Sequence, residues 1–94
     1  MRITWDENKN VINQRKHKVS FEVAAQVFDD PFHLSLLDRI ENGEERWQTI
    51  GMVGDVVVLL VAHSYTEENG VEVVRIISAR KATKKERLKY EENQ

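Results

Sequence analysis

Residues 56–86 read VVVLLVAHSYTEENGVEVVRIISARKATKKE and hold the longest apolar run and the clearest turn signal of the chain. Its first ten residues are mostly β-branched or apolar, which is typical of a central strand. Asn69-Gly70 is a strong hairpin signal, so residues 71–79 are predicted to return as an antiparallel strand. Thr83 and Glu86 have the spacing of a capping box, which predicts a helix to about residue 92. The stretch therefore predicts a hairpin followed by a C-terminal helix.

The preceding residues predict two helices and three further strands. Residues 3–5 form a short candidate strand, and Asp6 and Ser20 have the character of N-caps for helices over residues 7–16 and 21–29. Pro31 ends the second helix, because proline disfavours helical backbone at the residue before it. Alternation predicts strands over residues 32–37 and 46–53, and Gly54-Asp55 suits a two-residue hairpin.

The predicted order is β-α-α-β-β-β-β-α, an α+β fold with two N-terminal helices and a C-terminal helix packed on an antiparallel sheet. A length of 94 residues predicts one domain over residues 1–94. There is no cysteine, which excludes disulfides, thiolate metal sites and a cysteine nucleophile. The N-terminus lacks a signal-peptide pattern, and the longest apolar run, residues 56–62, is too short to span a bilayer, so a soluble cytoplasmic protein is expected.

The net charge of −2 is unevenly distributed. Residues 1–18 and 75–94 carry net charges of +3 and +4, whereas residues 19–74 carry −9. If the two ends meet in space, they form a basic face on an acidic body. Such a face favours binding of a polyanion, although a solvated surface without a partner explains the charges equally well.

Arg75 is the most informative residue of the last strand. Val71, Val73, Arg75 and Ile77 are predicted to share one face of the sheet, since side chains alternate. An arginine among aliphatic residues requires a partner, because a buried unpaired guanidinium is very costly. Arg75 either forms an internal salt bridge, with Glu45 or Asp38 as candidate partners, or binds a phosphate at the floor of a groove.

Further candidates lie at the junction of the last strand and the last helix. One anion near the helix N-terminus is expected to contact three residues here: Ser78, Arg80 and Lys81. Lys16 and His17 end the first helix, where the helix dipole alone would favour cations. His17 is a candidate acid or base near neutral pH.

Residues 44–47 provide the last candidates. Glu45 is a candidate proton acceptor, Arg46 a candidate RNA contact or partner of Glu45, and Trp47 a candidate stacking platform for a base. A core tryptophan beside a solvated glutamate is the simpler alternative. His33 and His63 fall in strands and are expected to be structural. No close-spaced ligand pattern is present, so neither a metal nor another cofactor is expected.

Together, these segments resemble the BrnT family of toxins. The resemblance covers the whole chain in order. The matching segments are Trp5-Asp6, Lys9, Asn13, Lys16-His17, residues 19–22, Ala24-Ala25, Val27-Phe28, Asp30-Pro31, residues 43–47, Ile50-Gly51, residues 75–83, Glu86-Arg87 and Tyr90. Lys18 departs from the family pattern, in which a glycine follows the Lys-His pair, and it is strained if that position needs a positive φ.

The resemblance implies a small RelE-like fold and a toxin that cleaves RNA without metal, inhibiting translation and growth. It also implies a ribbon-helix-helix antitoxin of the BrnA kind, bound in a higher-order heteromer that represses the shared operon. The expected reaction is attack of a ribose 2′-OH on the adjacent phosphate, with Arg75 and Arg80 stabilising charge and His17 or Glu45 moving protons. Lys16, Arg46, Trp47, Ser78 and Lys81 are expected to contact RNA. The alternative is an inactive protein that binds nucleic acid or antitoxin, or a purely structural subunit.

Overall fold

Five strands form a single sheet in the computed structural model, which describes all of residues 1–94. The strands are β1 (Arg2–Trp5), β2 (Leu34–Glu41), β3 (Glu44–Val53), β4 (Val57–Glu68) and β5 (Val71–Lys81). Their order across the sheet is β1-β5-β4-β3-β2, with β1 parallel to β5 and all other pairs antiparallel. Because β1 pairs with β5, the two basic ends of the chain do meet.

The hairpins follow the turn signals in the sequence, with shifted strand ends. Asn69 and Gly70 have φ values of 52° and 81°, which is the left-handed pair that a type I′ turn requires, so the predicted hairpin is confirmed. The predicted two-residue turn at Gly54-Asp55 is wrong, since residues 54–56 lie between β3 and β4. Strand β2 begins two residues later and ends four residues later than predicted, and β3 begins at Glu44.

Three α-helices are present: α1 (Glu7–His17), α2 (Phe21–Ala24) and α3 (Lys84–Glu92). Asp6 accepts from the backbone N–H groups of Asn8 and Lys9, Ser20 caps α2, and the capping box of Thr83 is complete, so these three predicted helix starts are confirmed. The predicted second helix is wrong beyond its first turn, because residues Ala25–Asp29 form a 3-10 segment.

The 3-10 segment packs tightly against β3. A Cβ placed on Gly51 would lie 2.9 Å from the Cβ of Val27, closer than real Cβ atoms come. The glycine therefore permits a backbone approach that any other residue would push apart. This close approach holds the 3-10 segment against the sheet.

Hydrophobic clusters lie on both faces of the sheet. One face packs under α2 and the 3-10 segment, with the buried side chains of Val19, Phe21, Ala24, Val27, Leu59, Val61, Ile76 and Ala79. The other face packs under α3, with Ile50, Val58, Leu60, Ala82 and Tyr90. We call them the α2 face and the α3 face. The α3 cluster is the smaller, so the rest of its face remains open.

Helix α1 is attached through polar side chains. Its buried residues are Asn10 and Asn13. Asn13 donates to the carbonyl of Ala79 at 2.8 Å and accepts from the Ala79 N–H at 3.1 Å. Strand β1 ends opposite Ile76, so Asn13 takes the place of a further strand residue at this edge. No helix of the structure has the length and apolar character needed to cross a membrane.

Candidate functional site

A β-bulge in β5 determines which side chains share the open part of the α3 face. Ala62 is opposite Ser78 and His63 is opposite Ile76, so Ile77 is an extra residue without a partner on β4. Strict alternation would place Arg75 and Arg80 on opposite faces. The bulge brings both to the α3 face, since their partners Ser64 and Leu60 are four residues apart on regular β4.

Arg75 and Arg46 share one carboxylate on this face. The Nη2 atom of Arg75 lies 3.1 Å from Oε1 of Glu44, and Nη2 of Arg46 lies at the same distance from the same oxygen. The suggested partners Glu45 and Asp38 do not pair with Arg75. Two guanidinium groups around one carboxylate leave one positive charge uncompensated, which favours an approaching anion.

Both arginines retain unused donors. Nη1 and Nε of Arg75 make no hydrogen bond within the protein, and its side chain is 45% exposed. The Nε of Arg46 is buried without any acceptor. A buried donor without a partner carries a desolvation cost, which a rearrangement around a bound anion would relieve. The pair is therefore suited to bind a group with several acceptor oxygens, as a phosphate has.

The open part of the α3 face forms a shallow groove. A cavity of about 380 Å³ is lined by residues of β1, β3, β4 and β5, all polar except one. Thr4 is next to Arg75 on β1, and Ser64 is next to it on β4. At the far end of the cavity, Arg2 lies 3.6 Å from Glu68. We call this cavity the arginine groove.

Arg80 is held by the first turn of α3. Its guanidinium donates to both carboxylate oxygens of Glu86, at 2.8 and 3.0 Å. These hydrogen bonds lower the pKa of Glu86 to about 2, against an opposing contribution from burial. Glu86 also accepts from the N–H of Thr83 at 2.8 Å, so one side chain joins β5 to the start of α3. Ser78 lies between Arg75 and Arg80 on the same face.

The structure separates the other sequence-predicted residues from this groove. Glu45 and Trp47 lie on the α2 face, opposite Tyr65 and His63 of β4, and the Trp47 indole N–H donates to Glu45 at 3.1 Å. The idea that Arg46 orients Glu45 is wrong, since Arg46 pairs with Glu44. The physical reason is strand alternation, which directs residues 44 and 46 to one face and residues 45 and 47 to the other.

The basic residues of α1 have no direct polar contact with Arg75. Lys16 is exposed and His17 half-buried at the end of α1, and neither has a hydrogen bond or ion pair with a residue of the groove. Lys81 lines a different cavity, of about 290 Å³, together with Lys18 and Gln14. Of the three residues expected to converge, Ser78 and Arg80 share a face of the sheet and Lys81 does not.

His63 is a buried structural residue, as its strand position predicts. Nε2 lies 2.7 Å from the hydroxyl of Thr49 and Nδ1 lies 3.2 Å from the carbonyl of Ser64. Burial lowers the pKa of His63, so the ring is neutral near pH 7. No group of three or more potential ligand side chains is arranged to hold a metal ion.

Glu44 is the site residue that sequence reasoning missed. The pair Glu44-Glu45 was visible, but only the register of β3 decides which carboxylate faces Arg75. The signal that could have found it is alternation counted backward from Arg46, because Glu44 and Arg46 must share a face when the strand begins at residue 44.

Comparisons with known proteins agree with this fold. The family model described as the ribonuclease toxin BrnT of type II toxin–antitoxin systems matches residues 5–86. The crystal structure of the Brucella abortus ribonuclease toxin BrnT is similar, with a TM-score of 0.63 and 25% identity over 89% of this chain and 99% of that chain. No curated protein matches the sequence. The chain belongs to the BrnT family of ribonuclease toxins of type II toxin–antitoxin systems, and an antitoxin is therefore its partner.

Proposed function

We propose that the arginine groove is the RNA-cleaving site, and that it works without a metal ion. The observation that carries the proposal is the Glu44 carboxylate between Arg46 and Arg75 on an open sheet face. Two arginines with unused donors can bind a phosphate of the RNA backbone. The carboxylate beside these arginines can accept a proton from a hydroxyl next to that phosphate.

In the proposed reaction, Arg75 and Arg46 bind the scissile phosphate through donors that the protein does not use. Glu44 accepts the proton of the ribose 2′-OH, and the 2′-oxygen attacks phosphorus. The bond from phosphorus to the 5′-oxygen breaks, and that oxygen takes a proton from water. The hydroxide left behind takes the proton held by Glu44, which returns Glu44 to its carboxylate form. The products are a 2′,3′-cyclic phosphate and a 5′-hydroxyl. The guanidinium groups stabilise the negative charge that develops on the phosphoryl oxygens.

The remaining predicted residues receive other roles in this proposal. Arg80 positions α3 through Glu86, and Ser78 contacts RNA beside the groove. Glu45 and Trp47 receive no catalytic role, since they lie on the α2 face. His17, Lys16 and Lys81 receive none either, because none of them hydrogen-bonds or pairs with the cluster of Arg75, Glu44 and Arg46. The proton transfer expected of His17 or Glu45 is assigned to Glu44.

We also propose the biological setting that the family suggests. The toxin acts in the cytoplasm, cleaves RNA used in translation and so arrests growth. Its antitoxin is a ribbon-helix-helix protein like BrnA, bound in a higher-order complex. A single sheet with helices on both faces, antiparallel from β2 to β5 and joined by the parallel edge strand β1, supports a RelE-like arrangement.

The direct test is cleavage of a single-stranded RNA by the purified chain in the presence of excess EDTA. We expect cleavage at an undiminished rate, with every new end a 5′-hydroxyl or a cyclic phosphate. Cleavage that stops with EDTA and returns with Mg²⁺ would overturn the metal-free mechanism. RNA binding without any new ends would instead indicate a binding protein, and its affinity would fall steeply with salt.

A further inference from the structure

A second cavity lies on the α2 face, opposite the arginine groove. It has a volume of about 290 Å³, and aromatic side chains from the 3-10 segment, β3 and β4 form its walls: Phe28, Trp47 and Tyr65. The indole of Trp47 is held by the hydrogen bond to Glu45. Phe28 packs edge-on against His63, with ring centroids 5.1 Å apart. We call this cavity the aromatic pocket.

Unpaired carboxylates surround the aromatic pocket. Glu72 lines it, and Glu67 is directly opposite Glu72 in the pairing of β4 with β5. Like charges directly opposite each other destabilise a sheet. Neither residue forms an ion pair in the structure, and nor does Glu45. Desolvation together with these three carboxylates raises the pKa of Tyr65, which reports a negative potential at the mouth of the pocket.

The floor of the pocket is neutral and fixed. His63 is 4% exposed, and its two ring nitrogens are used by Thr49 and by the carbonyl of Ser64. Thr49 in turn lies 2.7 Å from the hydroxyl of Ser35. The ring nitrogens are thus committed to the protein, and His63 itself offers no positive charge to oppose a cation. Met1 and His33 also line the cavity and bring the groups there that can carry positive charge, against three carboxylates near its mouth.

We propose that the aromatic pocket binds an arginine or lysine side chain of the antitoxin. Aromatic faces attract a cation through their quadrupole, and the surrounding carboxylates add direct charge attraction. RNA is disfavoured here, because its phosphates would meet Glu45, Glu67 and Glu72. A symmetric dimer through this face is disfavoured too, since residues 19–74 carry a net charge of −9 and the two acidic surfaces would repel each other.

An apolar surface beside the pocket fits the residues that flank such a cation. Leu37 and Ile40 of the edge strand β2 are 50% and 66% exposed. They are opposite Trp47 and Glu45, so they lie on the same face as the pocket. An antitoxin segment that places aliphatic side chains on this surface and a cation in the pocket would cover both. The proposal rests on the antitoxin partner that the family implies and is independent of the catalytic assignment.

The test is binding of the purified chain to the antitoxin of its own operon, measured by titration calorimetry. Glu72→Lys reverses a charge at the rim and replaces the like-charge opposition with Glu67 by an opposite-charge pair, so we expect folding to be preserved. Glu92→Lys makes the same change on the exposed end of α3 and serves as the matched control. We expect Glu72→Lys and Trp47→Ala to weaken binding at least tenfold, Glu92→Lys to bind normally, and Glu72→Lys to keep its RNA cleavage.

A second measurement follows the indole N–H resonance of Trp47, assigned with Trp47→Phe. We expect this resonance to shift when antitoxin is added and to stay in place when RNA is added to an inactive Arg75 variant. Equal antitoxin affinity for Glu72→Lys and Glu92→Lys would overturn the proposal. So would a Trp47 shift caused by RNA, or a toxin dimer that Trp47→Ala dissociates. If the unmutated chain does not cleave RNA, only the proposed function is overturned, and the proposal for the aromatic pocket stands.

Discussion

Glu44 and Arg75, which are 31 residues apart in the sequence, meet across the sheet with Oε1 and Nη2 separated by 3.1 Å. Their strands are not neighbours, since β4 lies between β3 and β5. The contact therefore spans a whole strand and depends on the register of both hairpins. Because Arg46 binds the same oxygen, the pair is part of a three-residue cluster that faces solvent.

Glu44→Gln tests the role of the carboxylate in this cluster. The amide cannot take the 2′-OH proton, so we expect kcat to fall by about a hundredfold, as is typical of a lost general base. KM for RNA should stay the same or fall, because a negative charge leaves the groove. Steady-state kinetics on a single-stranded RNA separates the two constants. Glu92→Gln is the control, since Glu92 lies on the exposed end of α3 and forms no ion pair. An unchanged kcat in Glu44→Gln would show a purely structural carboxylate.

Acid stability should depend on Glu86. Its pKa is about 2 in the folded protein and 4.5 in the reference state, so the folded-state pKa is lowered. The pair with Arg80 is thus fully stabilising above about pH 4.5, and this stability is lost as the pH falls through 2. Arg80 is 38% exposed, and water screens the pair, so its contribution is about 1–2 kcal/mol.

Chemical denaturation at several pH values measures this dependence. We expect Glu86→Gln to flatten the fall in the free energy of unfolding between pH 4.5 and 2, and the control Glu91→Gln to leave it unchanged. If Glu86→Gln keeps the wild-type slope, the carboxylate does not carry the acid sensitivity.

Lys18 occupies a strained backbone conformation. It is the C-cap of α1, with φ 62° and ψ 25° in the left-handed region. A residue with a Cβ is disfavoured there, so we expect Lys18→Gly to raise the free energy of unfolding by about 1 kcal/mol. Lys18→Ala removes the charge but keeps the Cβ, and it should bring no such gain. Thermal unfolding of the unmutated chain and the two variants distinguishes backbone strain from charge. Equal stabilisation by glycine and alanine would show that the charge of Lys18, and not its backbone conformation, is responsible.

Asn13 should be essential for the attachment of α1. Asn13→Ala leaves the N–H and C=O of Ala79 without partners, together with the Val19 carbonyl. We expect a loss of about 2–4 kcal/mol in the free energy of unfolding, since buried unsatisfied backbone groups are costly. Asn8→Ala, on the exposed side of the same helix, is the control and should cost far less. A loss no larger than that of Asn8→Ala would contradict the account of how α1 is held.

The sequence predicted those features that local residues determine. The Asn69-Gly70 hairpin, the caps at Asp6 and Ser20 and the capping box of Thr83 each depend on a few neighbouring residues. The left-handed backbone at Lys18 was also foreseen, through the glycine that it replaces in the family pattern.

Features that depend on tertiary register were not predictable. Ile77 gives no local signal of a bulge, yet the bulge brings Ser78 and Arg80 to the face of Arg75. Glu44 and Glu45 are chemically alike, and a one-residue difference in register decides which of them meets the arginine. No local feature of α1 marks Asn10 and Asn13 for burial, because their partners lie on other segments of the chain.

The most direct test of the central claim is the production of RNA ends by the chain and by Arg75→Ala at equal concentration, with thermal unfolding showing that both are folded. Glu44 is left unpaired by Arg75 in the variant, but Arg46 still holds it, so the fold should persist. We predict new 5′-hydroxyl ends from the unmutated chain and a rate at least about a hundredfold lower from Arg75→Ala, since a cation that stabilises the transition state is lost. A folded Arg75→Ala that cleaves RNA at the unmutated rate would contradict the assignment of the arginine groove as the active site.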